Sequence, residues 1–237
     1  LHRIDTCKVI LEEIIKQANQ KNDNQSEVKT NISFSFQYKQ TDTIAVTKEN
    51  KPFRTEQNQL LFRPAGHGAL INNLNNLEAD VIFIKNIDNV IQNHVVETSL
   101  YKKALAGKLL YIQQQIFTYL NALSANQVTE IDLPEIVDFM KHKLNIRFYE
   151  GFDKYTIDNK IESIKKKLNR PIRVCGMVKN EGEPGGGPFW VKSSRGNLSL
   201  QIVESSQVDT DNKKQNNILK LATHFNPVDL VCSIKNY

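Results

Sequence analysis

A glycine turn followed by a helix and a buried strand, all within residues 62–97, restricts the folds open to this chain more than any other feature. Gly66 and Gly68 allow the backbone to approach a neighbour closely, because neither carries a Cβ atom. Three leucines then recur at helical spacing: Leu70, Leu74 and Leu77. Residues 80–85 form an apolar run with one charge at each end, which is typical of a parallel strand covered on both faces. This order of elements predicts an α/β fold.

The same stretch predicts a nucleotide site. The start of a helix offers unpaired N–H groups to phosphates or base carbonyls, and Asp88 follows the strand, where open α/β sheets place ligand and metal chemistry. A Gly-X-Gly is equally compatible with an ordinary turn, and Asp88 and Asn89 could form a simple turn as well. Lys85 could pair with a phosphate or with a carboxylate.

Hydrophobic periodicity predicts the remaining elements. Amphipathic helices are predicted over four ranges: 4–19, 94–123, 133–144 and 157–168. The second range could be one continuous helix or two helices separated near Gly107. Strands are predicted over seven ranges: 31–37, 43–46, 59–62, 171–178, 189–192, 198–204 and 228–234. We therefore expect one domain over residues 1–237, with a helical insert at 94–168 between two sheet-forming halves. The loop 181–188 could be a lid over a ligand or a plain hairpin connection.

Charge and cysteine content exclude several classes of protein. The 31 basic and 26 acidic residues give a net charge of +5, which tolerates anionic ligands. The one dense basic run, residues 165–167, is more typical of a solvated helix face than of a nucleic-acid site. Three cysteines without a Cys-x-x-Cys pair favour reduced thiols and a cytoplasmic location. No apolar run is long enough to cross a membrane, so no membrane partner is expected.

Four short motifs carry a resemblance to a known family. They are Pro-x-Gly-His-Gly at 64–68, Ile-Asp-Asn-Val at 87–90, Val-Cys-Gly-Met-Val at 174–178 and Gln-Ile-Val-Glu-Ser-Ser-Gln at 201–207. The chain resembles an uncharacterised bacterial domain of unknown function in the nucleotide-diphospho-sugar transferase superfamily, and more distantly the UDP-sugar pyrophosphorylases. The resemblance implies a Rossmann-like fold with a mixed, mostly parallel sheet flanked by helices.

The resemblance also implies a nucleotide-binding role for several residues. Gln37 matches a glutamine that reads the pyrimidine base, because an amide donates and accepts at the same time. Gly66, His67 and the adjacent Gly68 match the turn that holds the same base, although the family has asparagine where this chain has His67. Asp88 matches an acidic residue that could hold Mg²⁺ beside the phosphates.

The resemblance places the sugar at a second group of residues. Gly176 and Glu204 match positions that meet the sugar, since glycine allows a ring to approach and a carboxylate accepts hydroxyl hydrogen bonds. Asn226 lies where the distant relatives have a sugar-binding asparagine. His142 and His224 have no second ligand at metal spacing, which indicates structural roles.

Two functional classes follow from these assignments. The first is a Mg²⁺-dependent nucleotidyltransferase, in which a sugar 1-phosphate attacks the α-phosphate of a nucleoside triphosphate. The second is a non-catalytic domain that binds a nucleotide sugar. A glycine-rich triphosphate loop is expected before Asn31 in such transferases and is not found there. Its absence indicates either that this chain is an internal piece of a longer domain or that the resemblance overstates catalytic competence. A partner-binding α/β protein is a third, weaker possibility.

Overall fold

The chain forms two units, residues 1–77 and residues 78–237. The structure is a computed structural model that describes residues 9, 11–17, 31–86, 93–149, 151–182, 185–194 and 198–237. Each unit is described by itself below. The single domain with an insert at 94–168 stays a prediction.

The first unit is built from short elements. Its described helices and strands are α1 (residues 11–17), β1 (Thr43–Ile44), β2 (Phe62–Arg63) and α2 (Ile71–Asn75). β1 pairs with β2 in antiparallel orientation, and single bridges at Val46↔Pro52 and Arg54↔Leu60 extend this ribbon. The 3₁₀ helix His67–Leu70 leads directly into α2, so the predicted glycine turn does open a helix.

The strand predicted over residues 31–37 is wrong. Within the described residues, positions 31–38 belong to no strand. The Phe36 carbonyl instead accepts a hydrogen bond from Asn73 Nδ2 at 2.9 Å. Alternation of apolar and polar side chains defines two faces of an extended segment, but it supplies no neighbouring backbone to pair with.

The second unit contains a three-stranded antiparallel sheet. Its strands are β3 (Ile82–Lys85), β9 (Asp229–Ser233) and β4 (Ile172–Cys175), with β9 in the centre. Val231 faces Phe83 on one side and Val174 on the other. The strand predicted over residues 228–234 is therefore present, and it is the central strand of this sheet.

Two smaller antiparallel pairs complete the described strands of this unit. β5 (Val178–Lys179) pairs with β8 (His224–Phe225), and β6 (Gly187–Lys192) pairs with β7 (Leu198–Val203). The strand predicted over residues 171–178 is thus divided into β4 and β5. The division falls at Gly176 and Met177, where the Gly176 N–H donates to the Asp229 carbonyl at 2.8 Å.

The three helices predicted over residues 94–123, 133–144 and 157–168 are present with nearly the same bounds. α3 (Val95–Ser124), α4 (Leu133–Lys143) and α5 (Ile157–Leu168) share one core, and α3 also packs against β4 and β9. Five residues of α3 are buried at spacings of three or four: Leu109, Ile112, Ile116, Leu120 and Leu123. α3 runs through Gly107 without a break. A further helix, α6 (Lys213–Lys220), was not predicted.

The strand pairing differs from the parallel pattern predicted around β3. β3 pairs antiparallel with β9, and Phe83 is 53% exposed, so this strand is not covered on both faces. Every strand pair within the described residues is antiparallel. Because β9 returns from far along the chain, its direction could not be read from the local sequence. A mixed, mostly parallel sheet for the complete domain stays a prediction.

Candidate functional site

The main candidate site lies at one edge of the three-stranded sheet, where β3 and β4 end and β9 begins. Lys85 faces Asp229 across the register, and the Lys85 Nζ lies 2.7 Å from Asp229 Oδ2. The same ammonium donates to the Pro227 carbonyl at 3.3 Å. Lys85 therefore pairs with a carboxylate, the second of its two predicted alternatives. The two side chains are 23% and 21% exposed, so the pair remains accessible to solvent.

Asn226 connects this ion pair to the end of β4. Its side chain is nearly fully buried, with the residue 5% exposed. Nδ2 donates to the Gly176 carbonyl at 2.6 Å, and Oδ1 accepts from the Val228 N–H at 3.1 Å. Val228 has a φ of 57°, which is unusual for a β-branched residue. The Asn226 amide thus stabilises a strained turn and holds Gly176 against it.

Gly186 joins Glu204 to the same group. The Gly186 carbonyl accepts from the Asn226 N–H at 2.7 Å. A Cβ atom at Gly186 would lie 2.9 Å from Glu204 Oε1, so the backbone and the carboxylate are in close contact. Gly176, Glu204 and Asn226, the three residues predicted to meet a sugar, therefore lie in one place. We call Lys85, Gly176, Gly186, Glu204, Asn226 and Asp229 the sheet-edge cluster.

Glu204 is held in place by the chain that follows it. It caps the short 3₁₀ helix Ser205–Gln207: the Gln207 N–H donates to the Glu204 side chain, and the Glu204 N–H donates to Gln207 Oε1 at 2.9 Å. This reciprocal arrangement is a capping box. The carboxylate is partly buried and retains lone pairs for further hydrogen bonds.

Burial disfavours the thiolate form of the cysteine beside this cluster. Burial raises the pKa of Cys175, the residue before Gly176, and the nearby charge of Arg173 opposes that rise only in part. Burial likewise raises the pKa of Cys232 on β9. Neither cysteine forms a disulfide within the described residues, and a raised pKa makes a thiol less reactive because the thiolate is the nucleophile.

The predicted nucleotide-binding residues of the first unit surround the glycine turn. Gly66 is the N-cap of the 3₁₀ helix that contains His67 and Gly68. A Cβ atom at Gly66 or Gly68 would meet nothing within 4 Å, and neither glycine has a positive φ. The space beside both glycines is therefore open, although the turn itself does not require glycine.

Gln37 is already used by the protein backbone. With its amide oriented to match the polarity of its neighbours, its oxygen accepts from the Ala65 N–H at 2.8 Å and its nitrogen donates to the Ala65 carbonyl at 3.1 Å. The amide thus makes the paired donor and acceptor contacts that were expected for a pyrimidine edge, but it makes them with the residue before Gly66. Its clear contribution is to position the glycine turn.

The described residues do not by themselves form a magnesium site. Asp88, the predicted ligand, lies outside the described residues. Among the residues that the structure describes, no group of three or more side chains of the His, Cys, Asp and Glu types is placed to hold a metal ion. Asp229, the carboxylate at the sheet edge, is paired with Lys85. Mg²⁺ therefore stays a prediction that depends on Asp88.

Sequence reasoning missed two members of the sheet-edge cluster. Asp229 is 144 positions from its partner Lys85, and no local pattern connects the two. Gly186 lies in the predicted loop 181–188, but the sequence alone does not show which of its glycines approaches Glu204. The three consecutive glycines at 185–187 were the available signal.

The arrangement defines a mixed protein of helices and small antiparallel sheets, with polar and charged groups at one sheet edge. The chain belongs to the family described as Domain of unknown function (DUF4301), whose sequence model matches residues 5–237. No curated protein and no solved structure matches the chain. None of its described helices is both long enough and apolar enough to cross a membrane.

Proposed function

We propose that this chain is a nucleotidyltransferase-like protein that binds a nucleotide sugar, with the sugar at the sheet-edge cluster. One observation carries the proposal: the three residues that the resemblance assigns to the sugar are far apart in sequence but connected in the structure. Asn226 bonds directly to Gly176, and Gly186 links Asn226 to Glu204. We also propose that the family belongs to the nucleotide-diphospho-sugar transferase superfamily.

Each part of the cluster has a chemical role in this proposal. The Glu204 carboxylate accepts hydrogen bonds from sugar hydroxyls, and charge-assisted bonds of this type are the stronger ones. Gly176 and Gly186 have no side chains, so Asp229 and Glu204 can lie close to the backbone and the polar groups of the cluster come together. The Lys85 ammonium faces the phosphates, and Asn226 keeps the surrounding backbone in place. Catalysis would consist of positioning and charge neutralisation, with the sugar phosphate forming a P–O bond as pyrophosphate leaves.

A non-catalytic nucleotide-sugar-binding domain is the second candidate. It is favoured by the Lys85–Asp229 pair, whose two charges lie 2.7 Å apart. Because Asp229 neutralises the Lys85 ammonium, the pair has little net positive charge with which to stabilise a transferring phosphoryl group. Binding of a nucleotide sugar without reaction does not require that stabilisation.

A binding measurement with matched variants tests the proposal. We would titrate the chain with UDP-glucose, other nucleotide sugars and sugar 1-phosphates by isothermal titration calorimetry, with and without Mg²⁺. Glu204→Gln keeps the size and the capping geometry but removes the charge, so it should weaken binding about tenfold or more. Glu78→Gln removes a charge from an exposed position outside the cluster and should change nothing.

Each result has a defined meaning. Binding that falls in Glu204→Gln and not in Glu78→Gln supports the site. Pyrophosphate release with a nucleoside triphosphate and a sugar 1-phosphate separates the transferase from the binding domain, and its loss in Asp88→Ala would assign the metal ligand. If no nucleotide sugar binds, or if both glutamine variants bind alike, the proposed site is wrong.

A further inference from the structure

A second cleft lies along α5, and it shares no residue with the sheet-edge cluster. It has a volume of about 580 Å³, which is within the usual range for small-molecule sites. Six of its lining residues carry the argument: Tyr149, Tyr155, Ser163, Lys166, Lys167 and Arg170. Three of these are cations and three carry hydroxyl groups.

Lys167 carries a positive charge that no carboxylate among the described residues neutralises. Its side chain is partly buried, and its Nζ lies 5.6 Å from the Phe148 ring centroid and 5.8 Å from that of Tyr149. Burial first, and then the neighbouring charge of Arg170, lowers the pKa of Lys167. Throughout the part of the chain that the structure describes, no carboxylate forms an ion pair with it. A partly buried charge is normally paired, so this one favours an anion from outside.

The adjacent lysine provides an internal comparison. Lys166 forms an ion pair with Glu162 at 3.2 Å, which also neutralises the one carboxylate that lines the cleft. Arg170 donates through Nε to the Lys166 carbonyl at 3.1 Å, and this bond orients its guanidinium group. The remaining guanidinium N–H groups form a planar fork that suits phosphate oxygens. Two cations, Lys167 and Arg170, are therefore available to one ligand.

The cleft also contains three hydroxyl groups, those of Tyr149, Tyr155 and Ser163. Hydrogen bonds from Tyr155 and from Ser163 lower the pKa of Tyr149, and the first of these bonds raises the pKa of Tyr155. Tyr149, Tyr155 and Ser163 all line the cleft, so their hydroxyl groups lie beside a ligand bound there. The rings of Tyr149 and Tyr155 lie 5.9 Å apart between centroids and form an apolar wall beside it.

We propose that this cleft binds a small-molecule phosphate monoester, with Lys167, Arg170 and the Tyr149 hydroxyl around the phosphate. A phosphate dianion matches two unneutralised cations better than a carboxylate does. Two neighbouring cations favour a small molecule over nucleic acid, which requires an extended basic track. The site is independent of the proposed nucleotide-sugar site, so either proposal can fail alone.

Calorimetric titration with defined probes tests this inference. The probes are inorganic phosphate, glucose 6-phosphate and phenyl phosphate, added at constant ionic strength. Both esters should bind, and Lys167→Met, which keeps most of the side-chain stem, should weaken them about tenfold or more. Lys165→Met removes the same charge two positions away, outside the cleft lining, and should bind like the unchanged chain.

The outcomes separate the possible ligands. Tighter binding of the esters than of inorganic phosphate supports a site for a whole molecule. Equal loss in Lys167→Met and Lys165→Met, or no binding of either ester at millimolar concentration, would overturn the proposal. If Lys167→Met does not fold, as judged by circular dichroism, the exposed Arg170→Gln replaces it and must show the same loss.

Discussion

Replacing Gly186 by alanine should destabilise the loop that joins Asn226 to Glu204. The added Cβ would lie 2.5 Å from Ile202 Cγ2 and 2.9 Å from Glu204 Oε1. Both distances are shorter than the contacts that Cβ atoms make in folded proteins. Ile202 is β-branched and has little rotational freedom at χ1. Glu204 is held by its capping box. Because neither neighbour can move easily, the backbone must shift, and overpacking of this kind costs about 1–3 kcal/mol.

A control glycine separates the clash from the general effect of alanine. A Cβ at Gly107, on the exposed side of α3, would meet nothing within 4 Å. Gly107→Ala should therefore raise the free energy of unfolding by about 1 kcal/mol, because alanine favours a helix over glycine by that amount. The two substitutions are chemically identical and should have opposite signs.

Urea unfolding followed by tryptophan fluorescence is a suitable assay. Trp190 is the only tryptophan of the chain and lies on β6, four residues after Gly186, so its signal reports on the affected hairpin. In an Ile202→Ala background, which lacks the closest clashing atom, Gly186→Ala should cost about 1 kcal/mol less than in the unchanged chain. The reasoning fails if Gly186→Ala is as stable as the unchanged chain, or if its cost is the same in both backgrounds.

Three further outcomes are expected. Asp229→Asn leaves the partly buried Lys85 ammonium without its carboxylate and should lower the free energy of unfolding in urea by about 1 kcal/mol. Asp80→Asn should lower it less, because the Asp80–Lys235 pair is far more exposed. A larger loss from Asp80→Asn would contradict this order. The hydrogen bond from Lys235 holds the pKa of Asp80 below its usual range in the folded protein. The Asp80–Lys235 pair therefore stabilises the fold above pH about 4, and this stabilisation is lost as the pH falls through the lowered pKa of Asp80. Asp80→Asn should flatten that acid limb of the stability curve. Finally, burial raises the pKa of Cys175. Peptide-level mass spectrometry should therefore show slow alkylation of Cys175 at pH 8 in the folded protein and fast alkylation in urea. Equal rates in the two conditions would show that the folded protein has an accessible thiolate at this position.

The helical layer could be predicted because its signal is local. The apolar stripe of α3 recurs every three or four residues, so the pattern itself specifies which face is buried. α6 lacks such a stripe and was missed, although Asn212 caps it by accepting from the N–H groups of Lys214 and Gln215. An asparagine before a polar segment is a helix signal that hydrophobic periodicity does not detect.

Strand partners and polar pairs were harder to predict because they are set by distant parts of the chain. The alternation at residues 31–37 was clear, yet no described strand lies beside it. The Gln37 amide was predicted to donate to and accept from a pyrimidine base, whereas in the structure it makes both contacts with the backbone of Ala65. The grouping of Gly176, Glu204 and Asn226 came from resemblance, and the sequence alone held no physical signal that would join them.

The central position of β9 has a consequence for the order in which the molecule assembles. Within the described sheet, β3 and β4 both pair with β9, and Lys85 contacts a residue 144 positions further along the chain. During synthesis these two strands therefore leave the ribosome long before their common neighbour exists. The helices between them can pack first, since their contacts are closer in sequence. A nascent chain stopped before Asp229 would carry a helical core but no three-stranded sheet, and with no sheet it would have no edge at which to build the proposed sugar site.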